Sequence, residues 1–321
     1  MGLASSLVVA ATVTTSVAFP AVIDRWAPAL LMVGFVLGLP HGAVDHLVPF
    51  WISGRTSAWQ MLALLAGYLA LAVATWAVLQ GAAQVALPLM LLVSILHFGA
   101  GDLMTTSPAA GRNNWPPTRK VAHVIARGGP ILAGPLVFWP RATSAAIFEL
   151  DPGTVHTLHT LTWPIAIIVA ACVVLDTTFS SRARDRRSAI DTMLIAMLFG
   201  LTPPTAAFGV YFGAWHGTRH TARLIESDPR NTADLAHHHY LRPLLRFLRS
   251  ALIPSLVALG VVTALLLVTQ NQTELTRPVF LLLFSLTIPH MVIVALMDRA
   301  TSDVATRGPR HLPPPNDQPV I

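Results

Sequence analysis

The chain has 321 residues, of which 54% are apolar and only 11% charged, with 21 lysines and arginines against 15 acids, 13 histidines and one cysteine. Ordinary soluble domains carry about a quarter charged residues, so this composition excludes an ordinary soluble globule. The apolar residues also come in blocks long enough to cross a hydrocarbon core. The net charge of +6 lies in short loops between those blocks and calls for no nucleic acid, and the lone Cys172 rules out a disulfide framework or a thiolate metal site.

In chain order, spans are predicted at 7–23, 27–48, 58–79, 82–104, 118–139, 155–176, 188–201, 204–226, 240–269 and 278–297. Helices are required because a lipid-exposed backbone must satisfy its own hydrogen bonds, and no alternating barrel pattern is present. The fold class is all-α, a polytopic transmembrane helix bundle of roughly 8–10 spans. The first block lacks the basic flank of a signal peptide, although "SVAFPA" offers small residues, and is read as a span. The seventh is short and is parted from the eighth by "LTPPTA", as in a broken or re-entrant pair. Cys172 reads as a small buried hydrophobe. Residues 1–300 form one membrane domain, and the proline-rich stretch 301–321 reads as a disordered cytoplasmic tail.

Orientation follows from the loops. Those after the second, fourth, sixth and eighth spans carry Arg55; Arg112, Arg119 and Lys120; Arg182, Arg184, Arg186 and Arg187; and Arg223, Arg230, Arg242 and Arg246. The positive-inside rule places these loops and both termini in the cytoplasm, in a chain integral to the cell membrane.

Polar residues inside hydrocarbon are expensive, which makes "GLPHGAVDH" the first functional signal, with His41, Asp45 and His46 at the end of an apolar run. "LHFGAGD" adds His97 and Asp102, "YFGAWHGTRH" adds His216 and His220, and "TIPHMVIV" adds His290. At ~1.5 Å per residue, His41, His97, His216 and His290 fall at one depth, roughly 18–22 Å below the outer surface, on spans running in the same direction. His220 follows His216 at i+4, on the same helical face. Imidazole suits zinc, copper, iron and nickel, and an i, i+4 pair can place two ligands on one metal while other helices supply the rest. Taken singly, each histidine is equally at home as a buried side chain bonded to a neighbouring helix. Jointly, His41, His97, His216 and His220 read as metal ligands.

Asp45, at i+4 from His41, is placed to accept its second imidazole N–H, and Asp102 to do the same for His97 through a bend at Gly99 and Gly101. His290 and His46 are assigned to the surroundings of the site. Phe98, Tyr211, Phe212 and Trp215 adjoin the ligands in sequence and are candidates to line a substrate tunnel, or plain packing aromatics. His156, His159 and His123 lie near span ends, and the run at 237–239 in the basic connection reads as a solvated segment.

These motifs, with "ARGGPILAGPLVFWP" between the second and third, stand in an order and spacing that resemble the Brp/Blh family of microbial β-carotene 15,15′-dioxygenases over about residues 30 to 300. The resemblance implies a membrane enzyme using non-haem Fe(II) and O2 to split β-carotene, or a related carotenoid, into two molecules of retinal. It also implies iron held by His41, His97, His216 and His220, with no catalytic residue beyond the metal site. Membrane lipid would deliver the carotenoid through a lateral entrance into an apolar tunnel, and a retinal-receiving rhodopsin would be a further partner. Gly217 departs from the family's more frequent serine and removes a hydroxyl there. Rival readings are a di-iron desaturase or hydroxylase with histidine boxes, a His/Asp transporter and a bis-histidine haem protein. No G-x-S-x-G, H-E-x-x-H or G-x-x-x-x-G-K-[ST] pattern points to a hydrolase or ATPase.

Overall fold

Proline punctuates this chain. It lacks an N–H, which costs nothing in the first helical turn and breaks the bonding ladder inside a helix. In the computed structural model, which describes residues 2–54, 57–110, 114–268 and 272–307, seven of the described α-helices begin at one. The elements are α1 (Gly2–Ala18), α2 (Pro20–Gly38), α3 (Pro40–Ala43), α4 (Val48–Ser53), α5 (Ala58–Gly81), α6 (Ala83–Ala110), α7 (Pro117–Gly128) and α8 (Pro130–Phe138). They continue as α9 (Pro140–Leu150), α10 (Pro152–Arg182), α11 (Arg186–Leu201), α12 (Pro204–Val210), a π-helical turn (Tyr211–Gly217), α13 (Thr218–Ser227), α14 (Thr232–Ala236), α15 (Leu241–Val268) and α16 (Gln272–Arg307). Some starts, with or without a proline, carry side-chain caps. Ser57 accepts from the Gln60 N–H, Asp151 from Thr154 and Asp185 from Ser188.

The all-α expectation holds. Among the described residues six helices are long and apolar enough to cross a bilayer, Pro20–Ser53, Ala58–Gly81, Ala83–Thr105, Pro152–Arg182, Leu241–Ala264 and Phe280–Ala300, with a seventh if α7 and α8, bent by 48°, count as one span. Several predicted spans are broken where proline intervenes. The segment 27–48 stops at Gly38, because Pro40 cannot donate back, and resumes through the Gly42 N–H to the Leu39 carbonyl at 3.3 Å. The segment 118–139 bends at Gly129 and Pro130, and the seventh and eighth segments part at Thr202 and Pro203. Helix α9 fills a stretch expected as loop, and α6 runs unbroken through Gly99 and Gly101, with none of the expected bend. Helix α16 continues to Arg307, into the predicted tail, while 308–321, Arg55 and Arg112 lie outside the described residues.

Outward faces are apolar. Trp59, Leu69, Ile167 and Ile253 are 75%, 64%, 65% and 71% exposed, as lipid-facing side chains would be. Cys172 is half-buried rather than buried. Lipid tails are as apolar as leucine, so close helix contact has to come from small residues that let backbones touch. Helix α2 meets α12 and the π-turn in this way: a Cβ on Gly34 would overlap the Gly209 carbonyl. Gly99 and Gly128 bring α6 and α7 equally close. Behind the π-turn, Val9 and Val13 of α1 pack with Ile195, Leu198, Phe199, Tyr211 and Trp215. A second cluster, including Val44, Leu224, Ile225, Phe247, Ile293 and Met297, ties the chain after α3 to α13, α15 and α16.

Candidate metal centre

The breaks in the helices are where the histidines stand. His41 is on the short α3 just beyond the Pro40 break, His97 is on α6, His216 is in the π-turn, His220 opens α13 and His290 is on α16. The π-turn adds a residue to the local repeat, a device frequent at functional sites. It leaves the rings of His216 and His220 parallel, 2° between planes and 6.0 Å between centroids.

All five rings are buried, 2–7% exposed. The His41 ring stands edge-on to His216, His220 and His290 at 5.2, 5.4 and 5.1 Å, and His97 stands edge-on to His216 and His290 at 5.3 and 5.2 Å. His220 also meets His290 at 5.4 Å. The single layer expected from helix depth is therefore present as one group of touching imidazoles. His290 stands inside that group, on the same terms as the four assigned ligands, rather than beyond it. His46 is half-buried on the turn before α4 and is not among the touching rings.

Hydrogen bonds set which nitrogen faces the centre. The His41 Nδ1–H donates to the Gly38 carbonyl, and the His290 Nδ1–H donates to Asp45 Oδ2 at 2.8 Å. Carbonyl and carboxylate oxygens only accept, so in both rings the proton is on Nδ1 and the Nε2 lone pair is available, as in metal-binding histidines with an oriented outer partner. The Nε2 atoms of His216, His220 and His290 are buried and have no hydrogen-bond partner among the described residues.

Two imidazoles bound to one metal at about 2.1 Å in tetrahedral array have ring centres roughly 5 Å apart. The observed 5.1–5.4 Å edge-on contacts match that spacing. Among the described residues no group of three or more His, Cys, Asp or Glu side chains is placed so that it could hold a metal ion as it stands. The spacing outweighs this, because rotation about the side-chain torsions redirects the nitrogens while the backbone positions that set ring spacing stay fixed. Neutral, buried imidazoles with orphaned nitrogens fit a divalent metal of the iron, zinc or copper kind.

Both predicted carboxylate partnerships are corrected. Asp45 does not take the His41 N–H: it holds His290 and accepts the Tyr68 hydroxyl at 3.1 Å, since α5 and α16 pack together and α3 turns His41 toward Gly38. Asp102 does not reach for His97. It accepts from Arg219 Nη1 at 2.7 Å and Trp215 Nε1 at 3.2 Å, and pairs with Arg127 at 2.7 Å.

Those bonds belong to a buried polar network that sequence reasoning missed. Arg219 also donates to Asp191 at 3.1 Å, and Asp191 accepts the Ser6 hydroxyl of α1 at 2.7 Å. Arg127 donates to the Ser188 carbonyl at 2.9 Å, and His123 and Thr192 share Asp176 at 2.8 and 2.6 Å. His123 is therefore neither in the metal group nor facing headgroups, being fully buried with this acid. A signal lay in the sequence: an arginine between His216 and His220 on a buried face must meet an acid.

Of the candidate lining aromatics, Phe98 stands edge-on to His216 at 4.8 Å, Phe212 edge-on to His41 at 5.5 Å, and Tyr211 lies nearly parallel to His216 at 6.3 Å. Trp215 is fully buried with the Arg219 guanidinium 3.6 Å above its ring, a packing role. The cavity beside these residues has a volume of about 10 Å3, against roughly 300 Å3 or more for pockets that enclose drug-sized ligands. A carotenoid does not fit it, so the expected tunnel is not open at this point. His156, His159 and the 237–239 run are exposed.

A family model described as beta-carotene 15,15'-dioxygenase matches residues 32–298. The chain is 29% identical over 306 residues to a probable beta-carotene 15,15'-dioxygenase Blh of Halobacterium salinarum, covering 86% of this chain and 85% of that one. It is 28% identical over 283 residues to a beta-carotene 15,15'-dioxygenase of the uncultured marine bacterium 66A03, covering 85% and 94%. No solved structure matches it.

Proposed function

This chain belongs to the β-carotene 15,15′-dioxygenase family, and from that membership we propose that it splits β-carotene at the central 15,15′ double bond with O2, giving two molecules of retinal. In that reaction the carbon–carbon double bond breaks and each carbon takes one oxygen atom, so no further reductant is needed. The proposal includes a non-haem ferrous ion held by His41, His97, His216 and His220, with His290 as a fifth imidazole facing the same centre. One observation carries it: five buried rings at metal-ligand spacing on the motif positions.

When bound, Fe(II) would supply the redox chemistry that activates O2. The residues of the chain do the rest. Asp45 and the Gly38 carbonyl hold the protons of His290 and His41 on Nδ1. The Asp102–Arg219–Asp191 ion group fixes the junction of the π-turn and α13, which carry His216 and His220 respectively. Phe98 and Phe212 exclude water and give the polyene an apolar surface beside the ligands. The carotenoid dissolves in the bilayer and enters sideways, which requires helices to part around the site. The proposal puts the chain in the cell membrane, with the basic loops and both termini toward the cytoplasm by the positive-inside rule.

Purified protein loaded anaerobically with Fe(II) tests the metal assignment. One iron per chain, lost in His41→Ala, His97→Ala, His216→Ala and His220→Ala with membrane insertion retained, is the expected result. Two irons per chain would favour the desaturase reading, and any one variant keeping full iron and activity removes that residue from the ligand set.

A further inference from the structure

Four arginines, Arg182, Arg184, Arg186 and Arg187, crowd the corner where α10 ends and α11 begins. All four are exposed, and none is paired with an acid among the described residues. The acid between them, Asp185, is half-buried and accepts the Ser188 N–H as the cap of α11. The fold adds a cation from another connection: the Arg119 guanidinium of α7, stacked on Trp115 at 3.6 Å, stands 5.7 Å from the Phe179 ring. Cations gathered this closely repel one another, a cost that a bound anion reverses.

The corner is also held in a strained form. The Ala183 N–H donates to the Phe179 carbonyl at 3.0 Å, Arg184 to Ser181 at 3.0 Å and Asp185 to Ser180 at 2.9 Å. Arg184 takes φ 57°, in the left-handed region where a helix end favours glycine. An arginine there gives up backbone stability and keeps a guanidinium at the tip of the corner.

Apolar surface runs directly up to these charges. Leu175, Phe179 and Arg182 follow one another at i+4 and i+3 along one stripe of α10, and Arg186 and Ile190 are an i, i+4 pair on α11. Leu175, Phe179 and Ile190 are all exposed. A lipid matches both halves of this surface, whereas an acidic protein or a free anion matches only the charged half. Guanidinium forks suit phosphate oxygens.

We propose that the α10–α11 corner binds an anionic phospholipid of the leaflet it faces, with the arginines on the headgroup phosphate and the acyl chains against Leu175, Phe179 and Ile190. This site rests on the membrane fold and not on the reaction. Its effect reaches inward, because Ser188, Thr192 and Asp191, in the first two turns of α11, hold Arg127, Asp176 and Arg219. A lipid that clamps the corner steadies the ion network behind the histidines.

Full-length protein freed of lipid in neutral detergent is titrated with phosphatidylglycerol, with zwitterionic phosphatidylcholine and with inorganic phosphate, and followed by native mass spectrometry and thermal unfolding. Phosphatidylglycerol is expected to stay bound and raise the unfolding midpoint, and the other two to do neither. Arg184→Gly combined with Arg186→Gln is expected to bind phosphatidylglycerol roughly 25-fold more weakly, about fivefold for each arginine removed. Its lipid-free midpoint is not lowered, since glycine relieves the backbone at 184. Arg182→Gln alone weakens binding about fivefold.

Phosphatidylglycerol retained no better than phosphatidylcholine overturns the site, as does unchanged affinity in the double variant. A lowered lipid-free midpoint with full lipid affinity assigns the arginines to the fold instead. Inorganic phosphate that reproduces the whole midpoint shift overturns the lipid assignment.

Discussion

Asp45 takes two donors from two helices, His290 of α16 and Tyr68 of α5. Removing the carboxylate in Asp45→Ala frees the His290 ring to rotate and lets its tautomer change. Metal titration of the purified variant is expected to give a 10- to 100-fold loss of affinity, on the order seen when outer partners of ligating histidines are removed. Wild-type affinity would take Asp45 out of this role. Arg219 answers two acids with one guanidinium, Nη1 to Asp102 and Nη2 to Asp191. Arg219→Ala leaves both carboxylates buried without that cation, a change that costs about 3–5 kcal/mol. Arg219→Lys, a point charge without the fork, is expected to recover only part of it in thermal unfolding in detergent. At this scale the histidines were legible because hydrocarbon makes each one conspicuous and helical rise gives its depth. Their carboxylate partners were not: Asp45 and His290 are 245 positions apart, and local spacing favoured the wrong acid, at i+4 from His41.

The seam between α2 and the α12–π-turn segment is built by glycine on both sides. A Cβ on Gly209 would lie 2.5 Å from the Leu30 carbonyl oxygen, which is backbone and cannot give cheaply. Gly209→Val is expected to destabilise by about 1–3 kcal/mol or more through overpacking, read as a lowered unfolding midpoint. Gly217 belongs to the same seam, since its Cβ would meet the Phe212 carbonyl at 2.8 Å and the Gly38 Cα at 3.0 Å. The absent hydroxyl is thus secondary to the space. Gly217→Ser is expected to lower the midpoint and loosen iron binding as α2 is pushed from the π-turn; an unchanged midpoint would show that the seam relaxes freely. Hydropathy located these segments, because bilayer thickness sets their length. The break at Pro203 was legible in "LTPPTA", while those at Pro40 and Pro130 were harder to place, because a proline within an apolar run is compatible with either a kink or an end. The π-turn left no local signal at all beyond the crowding of functional residues within it.

For the whole molecule, the fold class follows from composition, the length of the apolar blocks and the lack of barrel alternation, while the arrangement of helices around the histidines comes from long-range packing that hydropathy does not encode. Orientation is a matter of charge: with Arg182, Arg184, Arg186 and Arg187 clustered where α10 meets α11, that connection and both termini are predicted to face the cytoplasm. Labelling of single cysteines by an impermeant reagent in intact cells, in a Cys172→Ala background, is expected to spare a cysteine at residue 183 until the cells are opened. Function depends on the chemistry at the histidine layer, and pigment chromatography addresses it most directly. A β-carotene-accumulating bacterial host expressing this chain is predicted to yield retinal, two molecules for each carotene lost, and the same host expressing His216→Ala none. Undiminished carotene and no retinal, with iron-loaded protein confirmed in the membrane, would contradict the proposed cleavage.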